Sequence, residues 1–457
     1  MRRDARTLTT GRVVRPGIRP NAGTIPNEVL PALGFVAIAG CATILVVVGR
    51  IAELIPGLAQ LQPAKITLGL FILSALIGRR QLAQSKLLES PIVRTAFWFF
   101  ALAALSGVYS IWRSNSLTFV VNGLLVITLV FALIFKVVRS WTIARALIFT
   151  LCASGALLGA AAILGYHGAR AEAGVTYDTN DLAYLLVTTL PLAVALAIDG
   201  TGWRRWLFGS MAGAMIVATL LTESRGGLLG LFAGLLAVLW LRPTAVNAKT
   251  GAMGRISKTL VWAVIATLIG VASWPLLPAS ARERFASLLN IESDYNVQEE
   301  DVGRTFIWRR NLKAVAKRPI GYGVASSSAL DLRLGGRFKT AHNSVVQIAT
   351  ELGVLGAFLF LRLYWLAWRQ LSAQSARMRE RATAATERIA RSDVPVILYA
   401  LRASLVASFV AGFFLSQGYS YLLYTLLGLI AAVALLDSNA GVTSSTPVAS
   451  KWTRQRR

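Results

Sequence analysis

Acidic residues are scarce in this 457-residue chain: 21 Asp and Glu stand against 47 Lys and Arg, a formal net charge of +26. Histidine and cysteine are scarcer still, with two of each. Cys41 and Cys152 both lie inside apolar stretches, so they read as small buried residues and a disulfide-stapled scaffold is excluded. His167 and His342, with no clustered Cys or acidic ligands near them in sequence, make a poor metal site, and metal-independent chemistry without a cofactor is expected. Asp178-x-Asn180-Asp181 lacks the later glycine and glutamate of a calcium loop. Also missing is the period-two alternation that a membrane β-barrel needs.

What is there is apolar length. Hydrophobic residues make up 55% and charged residues only 15%, and the mean hydropathy is +0.59. Continuous apolar runs long enough to cross a bilayer, about 20 residues each, recur along the chain. In hydrocarbon a helix satisfies its own backbone, so the expected fold is an all-α polytopic integral membrane protein. About twelve spans are predicted from hydropathy, near Val29–Val48, Leu54–Gly78, Ile92–Tyr109, Leu117–Phe135, Ile143–Gly165, Leu182–Ile198, Trp206–Leu221, Leu228–Leu241, Leu260–Leu277, Val345–Leu366, Val396–Leu415 and Leu422–Leu436. The chain then divides into a basic tail (1–28), nine spans (29–277), a large loop (278–341), three spans (342–436) and a second basic tail (437–457).

Lys and Arg cluster in alternate connections and in both tails, which places both termini in the cytoplasm. Most of the +26 is therefore topogenic and suits anionic lipid head groups; nothing calls for nucleic acid. The large loop breaks the pattern. It falls on the outer side yet carries Arg282, Arg284, Arg304, Arg309, Arg310, Lys313, Lys317, Arg318, Arg333, Arg337 and Lys339. Charge that topology does not require suits an anionic ligand, or else lipid phosphates. Within it, Arg304 to Lys317 has an amphipathic helical pattern and ends at Pro319.

Polar residues stand at the mouths of the apolar segments: Glu223-Ser224-Arg225-Gly226-Gly227, Gly303-Arg304 with Trp308, and Ala341-His342-Asn343-Ser344. An arginine offers two parallel charge-assisted hydrogen bonds to phosphate, and a neutral imidazole can take a proton from a hydroxyl near neutral pH. Each residue also has a plainer reading. Arg225 could snorkel to the interface, His342 could cap a helix, and Asp178 or Asn180 could cap the sixth span. Asn343, Gln347 and Glu351 share one face of the tenth span, and Glu351, deep in an apolar helix, needs a donor such as Arg225 or Arg402, or a packing partner.

The succession Asp178-Thr179-Asn180-Asp181-Leu182-Ala183, Ser224-Arg225-Gly226-Gly227, Gly303-Arg304 with Trp308, Pro319-Ile320-Gly321-Tyr322-Gly323, and His342-Asn343-Ser344 followed by Glu351-Leu352-Gly353 resembles the O-antigen ligase and polymerase superfamily. The resemblance implies an integral-membrane (GT-C-like) glycosyltransferase of the bacterial inner membrane, working on the periplasmic face. It implies a polyprenyl (undecaprenyl) diphosphate-linked oligosaccharide donor and a glycan or lipid A core acceptor, with flippase and chain-length-regulator partners. His342, Arg225 and Arg304 then take the catalytic positions, and Asn343, Asp178, Asn180, Trp308, Arg309, Tyr322 and Glu351 line the substrate site. A polysaccharide polymerase is the reading preferred over a ligase. A transporter or flippase is the alternative from another class, although its site belongs near the bilayer midplane in repeated halves, and no repeat is visible here.

Overall fold

The computed structural model describes residues 29–78, 90–168, 170–175, 177–243, 275, 278–286, 303–384 and 393–436. Both basic tails lie outside these residues, as does the ninth expected span apart from Pro275. The helices are α1 (Val29–Val47), α2 (Pro63–Ile77), α3 (Pro91–Ser106), α4 (Arg113–Val137), α5 (Trp141–Leu164), α6 (Thr179–Asp199), α7 (Trp203–Leu221) and α8 (Arg225–Leu241). After them come α9 (Ala279–Ala286), α10 (Arg304–Lys317), α11 (Ser327–Arg333), α12 (Ser344–Ala384), α13 (Val394–Phe413) and α14 (Tyr421–Val433). No strand occurs among the described residues; Ala173 and Tyr177 form an isolated antiparallel bridge. Five helices, α4, α5, α6, α12 and α13, are long and apolar enough to cross a membrane, and shorter apolar helices accompany them. The protein is an all-α polytopic membrane protein.

Helix α6 is the axle of the bundle. It packs on α7, α8 and α13, while α8 packs on α13 and α4 on α14. Association between helices in lipid depends on close approach, because lipid tails are as apolar as leucine. Small residues supply it here: a Cβ on Gly227 would lie 2.6 Å from the Ala183 Cβ, and one on Gly230 would lie 2.8 Å from the Ala411 Cβ. Outward faces of α1 to α3 instead show Ile38, Ile66, Leu73 and Trp98, side chains suited to lipid contact. Ion pairs staple helix ends: Arg145 Nε donates to Asp393 at 2.8 Å, and Arg242 Nε donates to Asp199 at 2.8 Å.

The tenth span departs from the expectation of one uninterrupted helix. Gly353 has φ +71°, which breaks α12 near its start. Into that break fits the turn Pro319–Gly323: Tyr322 N–H donates to the Thr350 carbonyl (3.0 Å), Gly323 N–H to the Glu351 carbonyl (2.8 Å), and Val354 N–H to the Pro319 carbonyl (2.9 Å). The groups freed by the break are thus satisfied by protein, as hydrocarbon requires. Beyond it α12 continues to Ala384, so Arg369 and Arg377, expected in a loop, lie on a helical extension. Most residues from Arg369 to Ala384 are good helix formers and none is proline, so the helix continues that far.

Gly353→Ala is expected to destabilise the fold strongly. A Cβ there would collide with the Pro319 carbonyl oxygen, and a left-handed L-residue adds about 1–2 kcal/mol to overpacking of about 1–3 kcal/mol. The thermal midpoint in detergent should drop by many degrees. A midpoint within a degree of wild type would mean that the interlock contributes nothing.

Candidate functional site

The site assembles where α6, α8, α9, α10 and α12 begin or end on one side of the bundle. Asp178 caps α6, its carboxylate accepting from Asn180 N–H and Asp181 N–H, each at 2.8 Å. Ser224 caps α8 by accepting from Gly227 N–H at 3.2 Å, and it donates its own hydroxyl proton to Asn180 Oδ1 at 2.9 Å. The first turns of α6 and α8 are therefore tied side by side, both presenting free-end N–H groups and positive dipole ends.

Glu223, just before that cap, has φ +52° and is buried. Its carboxylate accepts from the Ser280 hydroxyl on α9. Arg225 opens α8, and its Nε donates to the Arg284 carbonyl at 3.2 Å. Arg170 reaches in from the loop before α6, Nε donating to the Thr222 carbonyl at 3.0 Å.

The opposite wall is α10 and the stretch before α12. Arg304 is the first residue of α10. One turn on, Trp308 Nε1 donates to the Ala341 carbonyl at 2.6 Å, while its ring packs edge-on against Phe413. That bond fixes the backbone immediately before His342, which is left-handed at φ +45°. Asn343 then caps α12, its Oδ1 accepting from Val345 N–H (2.9 Å) and Val346 N–H (3.0 Å). Ser344 donates to the Leu415 carbonyl (2.8 Å) and accepts from Gln417 N–H (2.9 Å), and the Gln417 amide donates to Asp181. The α13–α14 turn is thereby bound to the same mouth.

Electrostatics unites these walls. Burial first, then the nearby Arg304 charge, pushes the His342 imidazole down to about 4, with Asp178 pulling weakly the other way. His342 is accordingly neutral across the physiological range. Burial lowers Arg304 from the usual guanidinium range, and the neighbouring cations Arg225 and Arg284 lower it further. Arg170 is lowered by burial and by Arg284, but Glu223, Asp178 and Glu172 oppose the shift. Crowding cations with little water is unfavourable unless an anion joins them. Among the described residues, no three of His, Cys, Asp and Glu gather as metal ligands.

Arg225, Arg304, His342, Asp178, Asn180, Asn343 and Trp308 thus meet at one mouth, the last four as caps, ties and props. Three other candidates do not join them. Arg309 is exposed on α10. The Tyr322 hydroxyl donates to the Ala314 carbonyl at 3.0 Å and its ring lies under Arg318, so it holds α10 in place. Glu351 is fully buried and accepts from Ala325 N–H (2.9 Å) and Ser327 N–H (3.3 Å), at the start of α11. Neither Arg225 nor Arg402 is its partner there; Arg402 stacks over Trp368 at 4.2 Å. Sequence reading missed Arg284 as a site residue, along with Ser280 and Gln417. Arg284 was one of many loop cations with no motif around it, and only the docking of α9 singles it out.

Guanidinium groups and a neutral imidazole are thus gathered at one mouth of a bundle of membrane helices. Residues 210–361 match the family model described as O-antigen ligase, which supports the O-antigen ligase and polymerase superfamily for this chain. That segment runs from α7 into α12 and holds Arg225, Arg284, Arg304 and His342. Among curated proteins, none matches the chain.

Proposed function

We propose that the protein transfers a glycan from a polyprenyl diphosphate donor to an acceptor hydroxyl at the periplasmic face of the inner membrane, extending exopolysaccharide or O-antigen repeat units, without a metal ion. The observation that carries this reading is the convergence of Arg225 and Arg304 with an imidazole held neutral. As the acceptor oxygen bonds to the anomeric carbon, the bond from that carbon to the diphosphate breaks. The electron pair leaves with the diphosphate, whose growing charge Arg225 and Arg304 bind, and the hydroxyl proton goes to His342. Pre-placed guanidinium groups act best where charge develops during the reaction. The caps Asp178 and Asn343 and the tie from Ser224 to Asn180 hold these groups in register, and Trp308 fixes the backbone that carries His342.

A second acceptor is favoured by the family description, which names ligation: lipid A core in place of a growing chain. Purified protein in nanodiscs, given a polyprenyl-diphosphate-linked oligosaccharide with EDTA present, should lengthen the lipid-linked chain. Transfer only when lipid A core is supplied makes it a ligase. An intact donor under both conditions overturns glycosyl transfer and turns attention to transport.

A further inference from the structure

We infer that the half of the bundle away from the mouth carries a binding site for one anionic phospholipid, built from Arg362, Trp365 and Arg369 on α12 and from Arg402 of α13 stacked on Trp368. The site stands apart from the mouth and does not depend on the function proposed above.

The exposed face of α12 is the starting point. Phe358, Leu361, Trp365 and Trp368 are exposed, as are Arg362 and Arg369, and their spacing of three and four residues puts them on one face of the helix. Arg362 is the odd member. It comes about 27 Å along the helix from Ser344, which is bonded to Leu415 and Gln417 at the mouth. The opposite rim is reached only about three turns later, where the Gln374 amide donates to the Leu436 carbonyl at 3.1 Å, just past the end of α14. A lipid-facing guanidinium at such a depth is costly unless an anion meets it.

Towards the rim, two more guanidinium groups are held by indoles. Arg369 lies over the Trp365 ring, 5.2 Å from its centroid, and Arg402 over the Trp368 ring at 4.2 Å. A guanidinium stacked by its face points its N–H donors outwards in its own plane, the geometry that takes a phosphate. Indoles are themselves at home between acyl chains and head groups. Neither α13 nor the part of α12 between Glu351 and Arg377 contains an acidic residue, so charge complementarity favours an anionic head group over a zwitterionic one. A lipid is favoured over a soluble anion by the wall beside Arg362: Phe358 and Leu361 continue the exposed face towards the mouth, and the exposed Phe409 of α13 packs edge-on against Tyr364 at 5.1 Å. Acyl chains would bury that wall, and a free phosphate would leave it unused.

The test compares wild type with Arg362→Gln/Arg369→Gln and with a control, Arg204→Gln/Arg205→Gln, which removes the same charge from exposed positions at the start of α7. Each full-length protein is delipidated in detergent and titrated with phosphatidylglycerol or phosphatidylcholine, binding being read by native mass spectrometry. Thermal midpoints are measured in nanodiscs of each lipid. The α12 pair is expected to lower phosphatidylglycerol affinity by about 30-fold, to leave phosphatidylcholine binding unchanged, and to abolish the extra midpoint that phosphatidylglycerol gives wild type. The α7 pair should behave as wild type in all three readings. In phosphatidylcholine alone the α12 variant should be at least as stable as wild type, because Arg362 no longer stands in hydrocarbon; a lower midpoint there makes the arginines structural and overturns the inference. Equal losses in both double variants reduce the site to diffuse charge, and unchanged phosphatidylglycerol affinity removes it. Glycerophosphoglycerol, the head group without its chains, should fail to displace the lipid, and displacement overturns the lipid in favour of a soluble phosphate.

Discussion

Replacing Arg225 by lysine should cut glycan transfer by about 100- to 1,000-fold, the range for removing a donor to a developing anion, while the protein still inserts and folds. Lysine keeps the charge and is a good helix former at the first position of α8. It cannot keep the geometry. In the native site Nε donates to the Arg284 carbonyl, a bond that restrains the plane of the guanidinium. A lysine ammonium is a single, rotating point charge without a planar fork. Gly226 and Gly227, which let α8 press against Phe414 and Ala183, are untouched, so the thermal midpoint should move little. Transfer rates in nanodiscs together with that midpoint check the expectation. Wild-type activity in Arg225→Lys would reduce the residue to a snorkelling cation.

His342→Asn should slow transfer by about 100- to 10,000-fold, the usual contribution of a positioned base. Asparagine is the informative replacement because the native backbone is left-handed at φ +45°, a conformation asparagine tolerates and alanine does not. The wild-type rate should be flat from pH 6 to 8 and fall only as the imidazole protonates, near its depressed value of about 4. Arg304 disfavours the protonated ring, so Arg304→Gln should raise the His342 value and move the acid limb of the remaining activity to higher pH. An acid limb that stays in place would separate the two residues. The sign for stability is also fixed. An unfolded histidine titrates near 6.5, above the folded value, so the unfolded chain gains protons first and stability falls as pH drops from about 6.5 towards 4.

Hydropathy located the five helices long and apolar enough to cross a membrane, since burial in lipid needs length and apolarity and both are written along the chain. Every expected span except the ninth, which lies outside the described residues, contains helix. One cap was equally legible: Asp178, a short acceptor side chain just before an apolar run, does accept backbone N–H groups, whereas the caps at Ser224 and Asn343 were not foreseen, the second lying one residue beyond the cap expected at His342. What stayed hidden was long-range. Glu351 is met by backbone amides of Ala325 and Ser327, and amides leave no signature in sequence. The break at Gly353 was hidden for the same reason, because glycine is common in membrane helices and only its pairing with Pro319–Gly323 shows a different use. Arg284 and Gln417 become site residues through α9 and the α13–α14 turn, whose docking depends on contacts across most of the chain.

The interlock at Gly353 sets where this protein could be cut and rejoined. Its Pro319–Gly323 turn is also sewn to the α3–α4 connection: Ile111 N–H donates to the Tyr322 carbonyl (3.0 Å), Val324 N–H to Ser106 (2.9 Å), and Ser116 to the Val324 carbonyl (2.6 Å). A chimera that exchanged the large loop at its apparent borders, 278 and 341, would part the turn from both of its seats. The transplantable piece instead runs on past Val354 and must bring Ser106 to Ser116 with it. New acceptor preferences should therefore be sought by exchanging those two stretches together.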